Sequence, residues 1–167
     1  ILEFESETEN LKHSLIDFLG DKDYVLIDAA AGVGDEVEAA VEASDEILLV
    51  SKPELPSLTN TLGAKELADQ KDRDVIGLVL NEVRDENHEV EHEDIKELVG
   101  EDVIGRVPDH EHVREAIALR NPVVSYKPES RASHAIEDVA YKMRGEEPPE
   151  RGLGTKIRYK MDEIDLI

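Results

Sequence analysis

Tyr24-Val-Leu-Ile-Asp-Ala-Ala-Ala-Gly-Val-Gly-Asp35 is the stretch on which the fold turns. Residues 24–27 form a short apolar run of the kind that a parallel sheet buries on both faces, and such sheets bind ligands at the carboxyl ends of their strands. Asp28 stands at such an end. Behind it, Ala29, Ala30, Ala31 and Gly32 offer almost no side-chain bulk, so backbone N–H groups can approach a ligand such as a phosphate closely. Taken alone, Asp28 also reads as a strand-end carboxylate that satisfies turn amides. The rest of the chain decides between the two.

Working outward, strand-like runs alternate with helical ones. Residues 47–50, 75–80 and 103–107 read as apolar strands, with helices expected over 35–43, from Ser57 to about 71, near 91–99 ahead of Gly100, over 110–119, and from Ser130 to Met143. An amphipathic helix over 6–19, closed by Gly20, precedes the first strand. The two prolines in Ser51-Lys-Pro-Glu-Leu-Pro56 argue against regular structure there, and Asn121–Ser125 reads as extended. Strand and helix in alternation give an α/β fold, a parallel sheet flanked by helices. Residues 1–145 form one domain, and 146–167, opening with two prolines and two glycines, read as a linker and short tail.

Composition narrows the chemistry. Forty-one acidic against nineteen basic residues, a net charge of -22 over 167 residues, exclude an electrostatic nucleic-acid binder and disfavour anionic membranes. The acidity is spread through every segment and 40% of residues are apolar, so the chain folds, and the charge reads as adaptation to a salt-rich cytoplasm. Without cysteine there is no disulfide scaffold, thiolate metal site or thiol nucleophile. No secretory signal or bilayer-length apolar run is present, which reads as cytoplasmic. His88-Glu-Val-Glu-His92 matches a zinc-protease pattern, but Val90 is the only apolar residue between Arg84 and Asp94, so an acidic loop entering a helix is the better reading.

Four collinear segments carry a resemblance to the MinD/ParA group of P-loop ATPases, and to MinD in particular. Asp28-Ala-Ala-Ala-Gly32 resembles the family's Asp-x-Pro-Ala-Gly switch loop, with Ala30 in place of proline. Ser44-Asp-Glu-Ile-Leu-Leu-Val-Ser-Lys-Pro-Glu54 is similar to the strand ending in Asn-Pro-Glu, with Lys52 in place of asparagine. Gly77-Leu-Val-Leu-Asn-Glu-Val-Arg84 resembles the strand whose terminal asparagine reads adenine. Val103-Ile-Gly-Arg-Val-Pro-Asp109, Val113-Arg-Glu-Ala116 and Asn121-Pro-Val-Val124 resemble the loop, helix and segment that follow it.

The resemblance implies a P-loop NTPase-like three-layer architecture that binds ATP and Mg²⁺. It assigns Asp28 to the outer shell of Mg²⁺ and to placing the attacking water, and the Gly32 amide to the γ-phosphate. Asn81 would hydrogen-bond adenine, with Pro108 and Asp109 as the wall and backbone contacts of the base pocket. It also implies an ATP-dependent homodimer that positions other proteins, at a division site or elsewhere. No Gly-Lys-Ser or Gly-Lys-Thr occurs in the sequence, so the chain reads as the C-terminal two-thirds of such an ATPase, lacking the N-terminal P-loop strand and inactive by itself. Its start at Ile1 reads as a fragment or a trimmed chain. The alternative is a non-hydrolysing scaffold or interaction protein that keeps a degenerate ATPase fold. The tail places Ile157, Met161, Ile164 and Ile167 three or four apart, where MinD proteins carry a membrane-binding helix, but three acids offset three bases and no Trp or Phe anchors it; peripheral membrane contact is the weaker reading there.

Overall fold

The computed structural model describes residues 22–155 and Tyr159; the expected helix over 6–19 and the apolar positions of the tail lie outside the described residues. Nine elements follow in order: α1 (Asp35–Ala43), β1 (Glu46–Ser51), α2 (Leu55–Gln70), β2 (Asp74–Val83), α3 (His92–Val99), β3 (Val103–Pro108), α4 (Glu111–Ala118), α5 (Val123–Tyr126) and α6 (Arg131–Met143). The strands form one parallel sheet in the order β1-β2-β3. Helices cover both faces, which gives the three-layer architecture.

The middle strand explains why the apolar runs are continuous. Leu78 and Leu80 point to one face, where they join Leu49, Leu58, Ile95 and Val99 from β1, α2 and α3. Val79 points to the other, against Val107 of β3 and Ala132 and Val139 of α6. Both faces of β2 are therefore buried, as a parallel sheet requires. A third cluster packs α1 onto α2 through Val37, Val41 and Ala68. Close approach of helix to sheet and of strand to strand rests on one glycine each. A Cβ on Gly105 would lie 2.2 Å from Val139 Cγ2, and one on Gly77, whose φ is +143°, would lie 2.6 Å from Ile104 Cγ2.

Helix ends follow local chemistry. Asp35, Glu36 and Glu38 fill the first turn of α1, where carboxylates complement the helix dipole. Gly100 closes α3 in the left-handed region at φ +77°, as expected of a glycine behind a helix. Ser130 caps α6 by accepting a hydrogen bond from the Ser133 amide at 3.1 Å.

Three expectations are corrected. Residues 24–27 form no strand. An extended run becomes a strand only with a ladder partner, and among the described residues none lies beside it; Tyr24 and Leu26 are 61% and 79% exposed. The prolines do not keep 51–56 irregular to its end: α2 starts at Leu55, with Pro56 in the first turn, where a missing N–H costs no helical bond. Ser57 thus lies inside the helix rather than capping it. Asn121–Ser125 is not extended through its length, because Pro122 caps α5 and its carbonyl accepts from the Ser125 and Tyr126 amides at 2.9 Å each.

Candidate functional site

The carboxyl ends of β1, β2 and β3 lie side by side, and there the chain departs from regular pairing. Leu80 is level with Arg106 and Val83 with Pro108, so Asn81 and Glu82 together face the single residue Val107. This is a β-bulge. It shows in the core too: Val83, not residue 82, joins Leu78 and Leu80 on their face. Glu82 has φ +56°, a left-handed conformation that glycine adopts freely and glutamate rarely does, and Asp85 also has φ +56°.

Around the bulge, side chains lock the strand ends together. The Asp109 amide donates to the Val83 carbonyl at 2.9 Å. Arg84 Nε donates to Asp109 Oδ2 at 2.8 Å, and Arg114 of α4 donates to the other carboxylate oxygen. The hydrogen bond from Arg84 holds the Asp109 carboxyl below its ordinary value; partial burial opposes this and the charge of Arg114 assists it. Glu89 accepts from the backbone amides of Arg84 and Asp85 at 2.8 and 2.9 Å, fixing the turn after β2. From β1, Lys52 Nζ reaches Glu82 Oε2 at 2.5 Å. The hydroxyl of Ser57 accepts from the Lys52 amide at 3.0 Å and lies 2.9 Å from the hydroxyl of buried Ser51.

Of the residues singled out in the sequence, the structure brings Asn81, Pro108 and Asp109 together. Asn81 is half-buried, and its amide makes no hydrogen bond among the described residues. One edge of a purine offers the paired donor and acceptor that such an amide matches. Beside Pro108 a cleft of about 420 Å³ opens, lined by Val83, Arg106, His134 and Arg151 among others. Among its guanidiniums, that of Arg106 pairs with Asp85 and that of Arg151 with Asp138, each at 2.5 Å. Of Asn81, Pro108 and Asp109, only Pro108 lines this cleft.

Asp28 and Gly32 stand apart from this cluster, with no hydrogen bond or ion pair joining them to it among the described residues. Asp28 is exposed. Gly32 has φ +107°, and a Cβ there would meet nothing within 4 Å, so the loop is open on that side. Val33, next in the loop, comes within 3.0 Å of where a Cβ on Gly63 would sit, which seats the loop on α2. His88 pairs with Glu86 in the turn ahead of α3, whereas His92 opens that helix, so the two histidines share no helical face. Among the described residues no cluster of three or more metal-ligating side chains occurs.

Sequence reading missed Lys52, Glu82, Arg84 and Glu89 as parts of this corner. Two had a signal: Lys52 stands where the resembling motif has asparagine, and Arg84 lies three residues past the terminal asparagine of a buried strand.

Comparison with known proteins bears on the family and the fold. A family model described as an AAA domain matches residues 11–116. An uncharacterized ATP-binding protein of Methanocaldococcus jannaschii is 33% identical over 133 residues, covering 80% of this chain and 48% of the relative. The septum site-determining protein MinD of Synechocystis is 28% identical over 141 residues, 81% of this chain and 53% of the relative. The crystal structure of the cell division ATPase MinD of Pyrococcus furiosus superposes with a TM-score of 0.76 at 25% identity, over 83% of this chain and 58% of that one. The chain spans about half the length of the curated relatives it matches.

Proposed function

This chain belongs to the MinD/ParA-like family of P-loop ATPases, and on that footing we propose that it supplies the base-binding and switch parts of an ATPase that positions other proteins. The observation that carries the reading is the meeting of Asn81, Pro108 and Asp109 at the bulged ends of β2 and β3, fastened by the Asp109–Val83 bond. In this reading the Asn81 amide hydrogen-bonds adenine, Pro108 walls the base, and the Asp109 backbone contacts it. Asp28 holds the outer shell of Mg²⁺ and orients the attacking water, and the Gly32 amide meets the γ-phosphate. Mg²⁺ supplies charge neutralisation on the phosphates. The sequence holds no Gly-Lys-Ser or Gly-Lys-Thr to cradle those phosphates, so in this reading turnover and dimerisation around ATP need a phosphate cradle that these 167 residues do not supply.

The net charge supports a salt-rich cytoplasm as the setting. No helix among the described residues is long and apolar enough to cross a membrane. Contact with a membrane would be peripheral and made through the tail.

The test is ATP turnover. In the full-length protein, Asp28→Ala abolishes hydrolysis while ATP binding survives, whereas Asn81→Ala weakens binding itself. The 167 residues alone turn over no ATP. Hydrolysis by that chain alone, lost on Asp28→Ala, would overturn the division of labour. A scaffold that never hydrolyses ATP would instead show no turnover in the full-length form.

A further inference from the structure

We infer that Lys52 is a positioning residue for base recognition: through its ion pair with Glu82 it holds the β2 bulge in the register that presents the Asn81 amide. The inference rests on the base-binding reading of Asn81 given above.

Three observations converge on it. First, Asn81 and Glu82 are the two residues that the bulge sets opposite Val107, so the backbone angle at Glu82 directly sets where Asn81 lies. Second, that angle is the left-handed φ +56°, which glycine adopts freely and glutamate does not. A glutamate at a glycine-like position keeps its strain for something its side chain does, and what it does is receive Lys52 at 2.5 Å. Third, Lys52 is itself anchored. Its amide is held by the Ser57 hydroxyl at 3.0 Å, which pairs with buried Ser51, and the next residue's carbonyl accepts from the Val90 amide at 2.9 Å. Ser51 is level with Leu80, so Lys52 emerges beside Asn81 and Glu82.

Stability does not account for the pair. Its side chains are 46% and 41% exposed, and ion pairs so exposed add little to folding. What the pair does supply is a tie between the end of β1 and an irregular point of β2. A lysine can make that tie; the asparagine usual at this place in the resembling motif is neutral and cannot form the ion pair.

Neutral nucleosides read the base pocket without the phosphates, so the probes are adenosine and guanosine, titrated into the full-length protein at molar KCl while following the Asn81 side-chain amide by NMR. The wild type prefers adenosine and its Asn81 amide shifts. Lys52→Met loses about tenfold in adenosine affinity, one hydrogen bond's worth, and loses preference over guanosine, with an unchanged thermal midpoint. Lys52→Arg restores both. Glu82→Gly relieves the backbone strain, so its midpoint does not fall, yet it loses adenosine preference as Lys52→Met does. If Asn81→Ala abolishes binding while Lys52→Met keeps full affinity and selectivity, the positioning role is wrong and the base reading stands. If adenosine leaves the wild-type Asn81 amide unmoved, or Asn81→Ala binds as before, the base reading falls and this inference with it.

Discussion

Asp109 carries two guanidiniums on one carboxylate, and its titration is the most direct probe of the corner at residue scale. Its pKa is lowered first by the hydrogen bond from Arg84, with partial burial acting against and Arg114 acting with it. A carboxyl lowered in the folded state contributes stability that is present above its unfolded value, about 3.9, and is lost as pH falls through the lowered one. We therefore expect ¹³C NMR of the Asp109 carboxyl to titrate below the ordinary aspartate midpoint, and Arg84→Gln to move it back upward. An unmoved midpoint would mean that Arg84 is not the main cause. This residue was legible in sequence as a strand terminator behind Pro108, and by resemblance as part of a base pocket. Its arginines were not. Arg84 is 25 positions away, and it meets Asp109 only because the bulge lets Val83 come level with Pro108. The Lys52–Glu82 pair was hidden for the same reason: nothing in an apolar run announces that the strand will slip by one residue at its end.

At the scale of elements, two junctions decide whether α6 can cover the sheet. Gly105 leaves room for Val139, whose Cγ2 would lie 2.2 Å from any added Cβ. Gly105→Ala should force α6 outward and destabilise by about 1–3 kcal/mol in urea unfolding, the usual cost of overpacking. A neutral result would show that α6 has slack there. The second junction is the serine pair ahead of and within α6. Ser130 Oγ accepts from the Ser133 amide and donates to Ser133 Oγ at 2.9 Å, while the single hydroxyl proton of Ser133, fully buried, is shared between the carbonyls of Lys127 and Val123 at 2.7 and 3.1 Å. Ser130→Ala removes the cap and should cost about 1 kcal/mol, with the loss read as a lower thermal midpoint. Ser130 was readable as the start of this helix, as were Gly100 after α3 and the acidic opening of α1, because caps act within one turn. Pro56 misled because a proline bars a helix interior but suits a first turn, and only the position of Glu54, extended at φ -126°, tells which applies. Residues 24–27 misled differently: their composition is that of a strand, yet a strand is a property of two segments, and the second is not among the described residues.

For the molecule as a whole, the sheet edge and the charge act together. β1 pairs with β2 on one side only, and on its other side no strand pairs with it among the described residues. Val50 is 58% exposed on this strand, and Leu26, in the unpaired run ahead of α1, is 79% exposed. An apolar edge left open invites association with another chain. A charge of -22 opposes both that association and compaction of the chain, over a range that salt sets: about 10 Å at 0.1 M and about 3 Å at 1 M. Backbone bonds left unmade along an edge cost on the order of 1 kcal/mol each, against a total domain stability of about 5–15 kcal/mol, so the balance is narrow enough for salt to tip. We expect the 167-residue chain to be partly unfolded or self-associated at low salt, and to gain helical signal and a smaller hydrodynamic radius at molar KCl. Setting a parallel strand on the open edge of β1 should give the same gain without the salt. Far-UV circular dichroism with size-exclusion chromatography across a KCl series checks this. A compact, cooperatively unfolding monomer at about 50 mM salt, well below the ionic strength at which carboxylates are screened from one another, would mean that the edge needs no further strand and that the acidity serves solubility rather than a salt-rich solvent.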